Sequence, residues 1–181
     1  MPDETATKTC SFDVCCECKL GCCQDAKPPL TTERKRIIQD HLKQPGTSMA
    51  FPFDHAGYSF PTVDKMGFCV FYNKKTKQCQ IHAVKPETCR AGPITFDINR
   101  DTRKVEWFLK TPKICALAGL LSEDDIQLRE HLNVAKEEIL KLICGLDSEA
   151  LRTILKIAEP DTFKIGEDNL PKEVLGKLDI E

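Results

Sequence analysis

At 181 residues and a formal charge of -2, the chain has the length of one domain and lacks the basic excess of a nucleic-acid-binding surface. Its longest apolar run, Ile114 to Leu121, falls far short of the about 20 residues that cross a bilayer, and Met1 to Lys8 carries no signal-peptide core. A soluble, cytoplasmic protein is expected, in which 11 cysteines read as metal ligands rather than as disulfides.

Residues 1 to 9 read as disordered. Cys15-Cys16-Glu17-Cys18-Lys19-Leu20-Gly21-Cys22-Cys23 then packs five cysteines into nine residues. Its skeleton is C-x2-C-x3-C-C, through Cys15, Cys18, Cys22 and Cys23. A C-x2-C turn aims both sulfurs at one point. Adjacent Cys22 and Cys23 project in different directions, which suits two nearby centres, or one centre larger than an atom.

Lys27-Pro28-Pro29-Leu30 is an extended spacer. Thr31 or Thr32 caps a helix to about Leu42, with Ile37, Ile38 and Leu42 on its apolar side. His41 on that helix reads as a surface residue. Residues 47 to 66 show no clear period and read as an irregular packed loop. Its Phe51, Phe53, Tyr58 and Phe60 either cover the metal region or fill the core. His55 is a candidate ligand, but no partner stands at ligand spacing. Gly67 to Tyr72 and Gln78 to His82 read as a hairpin that brings Cys69 and Cys79 together. Pro86 opens a short helical turn carrying Cys89 and Arg90, which Gly92-Pro93 ends. His82 reads as a capping or surface histidine.

Ile94 to Ile98 and Val105 to Leu109 alternate as a second hairpin, and Cys115 follows. Ser122, with Asp125 three residues on, reads as the start of a helix. Leu128, Leu132, Ala135, Ile139 and Leu142 carry its period to about Cys144, a small buried hydrophobe, and Gly145 ends it. Further helices are predicted from Ser148 to Ala158 and, as a last turn, after Pro171. No phosphate loop, H-E-x-x-H or G-x-S-x-G is present.

In this order the cysteine-bearing pieces resemble the YkgJ-like cysteine-cluster family of zinc- or iron-chelating domains. The matching residues are Cys15-x2-Cys18-x3-Cys22-Cys23, Pro29-Leu30-Thr31-Thr32-Glu33, Gly67-Phe68-Cys69, Cys79-Gln80-Ile81-His82, Lys85-Pro86-x2-Cys89-Arg90 and Pro93. Cys115 stands where the family often shows Cys-Pro-Gly, although here the proline is absent. The resemblance covers roughly residues 10 to 120. It implies metal chelation, and some members are labelled iron–sulfur oxidoreductases. A flagellin lysine methylase shares a similar cysteine arrangement, but no methyltransferase-like domain is readable here.

With that resemblance, the expected metal ligands are Cys15, Cys18, Cys22, Cys23, Cys69, Cys79, Cys89 and Cys115. Eight thiolates suit two four-cysteine sites, of zinc or iron ions or of an iron–sulfur cluster, with the 4Fe-4S type favoured. Arg90 is expected either beside the cofactor, offsetting thiolate charge or donating to a sulfur, or in a surface salt bridge. The expected fold is α+β, a small cysteine-rich metal-binding domain with two short β-hairpins clasped by helices. Residues 10–121 form that domain, and 122–181 form a C-terminal helical segment packed on it. The function expected is iron or zinc binding, with an electron-transfer or accessory role toward a redox or enzyme partner protein. The alternatives are a zinc-stabilised interaction module without catalysis and an enzyme with its substrate site under the residue 47 to 66 loop.

Overall fold

The computed structural model describes residues 23–43, 52–159 and 161–180. It mixes helices with small antiparallel sheets, the expected α+β class. The first described helix, α1 (Thr32–Leu42), starts where its sequence says it should. The Thr31 hydroxyl accepts the Arg34 N–H at 3.0 Å, so the N-cap leaves one fewer orphan donor in the first turn.

The stretch expected to be an irregular loop is instead partly a hairpin. Strand β1 (Phe53–His55) pairs antiparallel with β2 (Ser59–Pro61), with His55 opposite Ser59 and Phe53 opposite Pro61. Strands of three residues give a period-two pattern too little length to show. Phe51 lies outside the described residues. Tyr58 and Phe60 enter the main core, and Phe53 packs on the cysteine side.

The predicted hairpin is shorter than its sequence suggests and leaves Cys69 outside it, bridged instead to Val63. Strand β3 (Tyr72–Asn73) pairs with β4 (Gln78–Cys79), and Tyr72 faces Cys79 across the register. The Asn73 side chain accepts from Lys75 N–H and Thr76 N–H, closing the turn. A 3₁₀ turn (His82–Val84) leads to α2 (Glu87–Ala91), which starts after Pro86.

The second predicted hairpin is β5 (Ile94–Asn99) with β6 (Lys104–Lys110). Val105, Trp107 and Leu109 are fully buried along one face of β6. A third strand, β7 (Thr162–Asn169), pairs with the other edge of β6, with a register irregularity at Trp107/Phe108. The sequence reading missed β7 because none of its residues is fully buried and most are exposed, as befits an edge strand.

Helices α3 (Ala116–Ser122), α4 (Asp125–Gly145), α5 (Ser148–Ile154) and α6 (Lys172–Lys177) complete the chain. Ser122 ends α3 rather than opening the long helix. Asp124 is the true N-cap, its carboxylate accepting Ile126 N–H and Gln127 N–H. The predicted period holds in part: Ala135, Ile139 and Leu142 are fully buried, while Leu128 and Leu132 pack at the core's edge. The next helix stops at Ile154 rather than at Ala158.

Two apolar clusters result. The larger gathers the sheet, α3, α4, α5 and α6, and draws residues from Tyr58 to Leu178. Among the described residues, the smaller has Leu30, Ile38, Leu42, Phe71 and Ile81 as its buried members. At about 1.5–3 kcal/mol per buried large aliphatic or aromatic side chain, the smaller cluster is a thin core. No described helix is long and apolar enough to cross a membrane.

Candidate metal centre

Cys69 and Cys79 sit at the edge of that smaller cluster, packed against it with Val70 and Val84. Main-chain bonds tie this corner to the start of the described chain. The Cys69 N–H donates to the Cys23 carbonyl at 2.8 Å, and Gln24 bridges Phe68. One residue further on, Asp25 N–H donates to the Gly67 carbonyl at 2.8 Å. Gly67 takes φ +82°, and a Cβ there would stand 2.1 Å from Asp25 Oδ1. Glycine is required on both counts, since the left-handed backbone and the close approach each exclude a side chain.

The Cys69–Cys79 corner is electrostatically coupled. Burial pushes the Cys69 thiol up to about 11; a hydrogen bond from the Phe71 amide opposes the shift, and the neighbouring Cys79 adds to it. Two soft sulfur donors in a partly buried setting suit zinc or iron and disfavour magnesium or calcium. The donor chemistry therefore fits the implied metals. Burial, then the charges of Lys85 and Arg90, hold His82 below the ordinary imidazole range.

The other expected ligands fall in different places. Cys89 is exposed on α2, between the buried residues Glu87 and Ala91. Cys115 is the residue that begins α3, in extended backbone, half-buried against the larger cluster. Cys15, Cys18 and Cys22 lie outside the described residues, as do Cys10 and Cys16, which are not among the eight expected ligands. Cys144 is half-buried against the larger core rather than fully enclosed, and burial raises its thiol pKa. Among the described residues alone, no three His, Cys, Asp or Glu side chains form a group that could hold a metal ion.

Arg90 Nε lies 3.4 Å from Glu138 Oε2, in a charge cluster the sequence reading did not find. At its centre is Arg34, whose Nε donates to Glu87 Oε1 at 3.0 Å and whose Nη2 donates to Glu138 Oε2 at 3.1 Å. All three of Arg34, Glu87 and Glu138 are buried. Lys141 Nζ adds a contact to Glu138 Oε1 at 3.1 Å. Helix α2, which carries Cys89 and Arg90, is thereby pinned between α1 and α4. The available signal was positional: Arg34 stands one helical turn before Ile38, on the apolar side of α1.

No solved structure matches this chain at a significant level. An uncharacterized protein of Methanocaldococcus jannaschii is 31% identical over 104 residues, 51% of this chain and 53% of the relative's. The chain thus spans about half the length of that relative. The profile of the CxxCxxCC family, described as "Putative zinc- or iron-chelating domain", matches residues 14–116. That match covers more than half of the chain and contains all eight cysteines from Cys15 to Cys115 singled out in the sequence. The chain belongs to this CxxCxxCC family, the YkgJ-like metal-binding, zinc- or iron-chelating domains.

Proposed function

We propose that the domain holds iron as an iron–sulfur centre, of the four-iron type, and serves electron transfer or assists a partner enzyme. The proposed ligands are Cys15, Cys18, Cys22, Cys23, Cys69, Cys79, Cys89 and Cys115, with Arg90 close by as a charge partner. The observation that carries this reading is the 2.8 Å bond from Cys69 N–H to the Cys23 carbonyl, because it joins the cysteine run to the Cys69–Cys79 corner. Adjacent Cys22 and Cys23 suit an extended cluster better than two separate tetrahedral ions, since each ion would need its own full shell within a few ångströms. An exposed Cys89 leaves a face through which a redox or enzyme partner could approach. Thiolate ligands in this number also call for a reducing compartment, so the cytoplasm is the proposed location.

The thin smaller core supports a second reading, a zinc-stabilised interaction module, because structural zinc supplies folding energy directly. Purification without oxygen, followed by iron, sulfide and zinc analysis, separates the two. The iron–sulfur reading expects a brown protein with acid-labile sulfide and visible absorption bleached by dithionite. A colourless preparation with stoichiometric zinc and no labile sulfide rejects it in favour of the zinc module.

A further inference from the structure

Outside the cysteine region, α1 and the β1–β2 hairpin enclose an open groove of about 650 Å³. Thr32, Lys35 and Arg36 line it from the helix, at positions that share one helical face. Phe53, His55 and Ser59 line it from the hairpin. Phe53 and His55 are two apart on one strand, and Ser59 is the cross-strand partner of His55, so the three share a face of the ribbon.

The polar end is organised around Ser59. Lys35 Nζ donates to Ser59 Oγ at 3.1 Å, and His55 Nδ1 lies 3.3 Å from the same oxygen. An ammonium has only donors, so Ser59 Oγ accepts from Lys35, while the direction of its contact with His55 Nδ1 follows the tautomer of the ring. The serine is itself fixed, because its carbonyl accepts the Leu30 N–H at 2.8 Å.

Charges of both signs surround this end. Arg36 is neutralised by Glu33 and Asp40, at 2.6 and 3.1 Å. Asp54 also lines the groove, its carboxylate accepting the N–H of His55. Lys35 has no carboxylate partner among the described residues, and its bond to Ser59 is to a neutral group. The other end is apolar: the Phe53 ring meets Phe71 edge-on at 6.3 Å between centroids. Phe71 belongs to the cluster against which Cys69 and Cys79 pack.

From this we propose that the groove is a binding site for a small organic oxyanion, a phosphate monoester or a carboxylate with an apolar ring or tail. Lys35 supplies the charge, Ser59 and His55 supply oriented hydrogen bonds, and Phe53 receives the apolar part. The ligand would lie one aromatic layer from the Cys69–Cys79 corner, and the proposal does not depend on which metal that corner holds.

The test follows the His55 ring resonances of the full-length, metal-loaded protein by NMR. Phenyl phosphate, benzoate, inorganic phosphate and phenol are titrated in turn. Saturable shifts with phenyl phosphate or benzoate, and none with phenol, are expected, and the tighter of the two anions identifies the headgroup. Lys35→Gln should weaken binding by about tenfold or more, the size of a lost charge-assisted hydrogen bond. Ser59→Ala should weaken it less, with the circular dichroism of both variants unchanged. No saturable shift with either aromatic anion overturns the site, as does equal binding by Lys35→Gln. Equal affinity for inorganic and phenyl phosphate removes Phe53 from the site, and the organic ligand class with it.

Discussion

Arg34 and Glu138 stand 104 positions apart and meet at 3.1 Å in the interior. Arg34 also holds Glu87 at 3.0 Å, so one guanidinium joins α1, α2 and α4. Both carboxylates are at least nine-tenths buried, and Glu87 Oε2 has no hydrogen-bond partner among the described residues. The cluster is thus sensitive to loss of its cation.

Arg34→Met should therefore leave Glu87 buried without its cation, while Glu138 keeps Arg90 and Lys141. Breaking a buried pair costs about 3–5 kcal/mol. A matching fall in the urea midpoint is expected, and adding Glu87→Gln to the same chain should recover part of it. Glu33→Gln, in an exposed pair on the same helix, should leave the midpoint where it was. An unchanged midpoint in Arg34→Met rejects the structural role of the cluster.

The end of α4 is packed against the start of α1. A Cβ at Gly145 would stand 2.7 Å from Thr31 Cγ2. Gly145→Ala should destabilise the protein by about 1–3 kcal/mol, the usual cost of overpacking. Thr31→Ser removes the obstructing methyl while keeping a capping hydroxyl. The double variant should then melt above Gly145→Ala alone, as differential scanning calorimetry would show. Equal melting of the two would place the cost elsewhere.

The single tryptophan reports on an acid-sensitive edge. Trp107 Nε1 donates to Asp168 Oδ2 at 2.6 Å, and Lys136 Nζ lies 2.8 Å from the same oxygen. Burial raises the Asp168 pKa, but Lys136 and Trp107 outweigh it and hold the carboxyl below its ordinary value. Hydrogen bonds from Lys104 and Lys164 hold neighbouring Glu167 at about 2. Both folded pKa values are depressed. Their stabilisation is present above the unfolded values, near about 4, and is lost as pH falls through the folded ones. Tryptophan fluorescence should therefore change as pH falls from about 4 toward 2. Asp168→Asn should flatten that acid limb, and an identical acid titration in this variant would refute the assignment.

Metal removal should act unevenly. The smaller cluster offers little apolar burial to residues 23–43 and to the β3–β4 hairpin, whereas α4 and α5 rest on the larger one. After chelation, hydrogen exchange should rise across α1 and the hairpin and stay slow in α4 and α5. Equal protection with and without metal would show that packing alone holds the cysteine half together.

The sequence by itself determined what depends on near neighbours. Thr31 as a cap, the short helix after Pro86 and the β5–β6 hairpin rest on contacts a few residues apart and stand where their residues predict, and the period of α4 holds in part. The family was legible for the same reason, because the order and spacing of the cysteines are linear facts. Asp124 displaced Ser122 as the cap of α4 because two adjacent signals competed, and only the folded backbone selects which carboxylate or hydroxyl reaches the amides. Tertiary structure alone decided the rest. β7 has too few buried residues to show a period and is a strand only because β6 offers it an edge. Arg34 looks like any helix-surface arginine until Glu87 and Glu138 arrive from distant helices. Lys35, His55 and Ser59 form a group only because the β1–β2 hairpin folds against α1. Contacts made across long stretches of chain leave no spacing to read, since their geometry is set by packing rather than by the period of any one element.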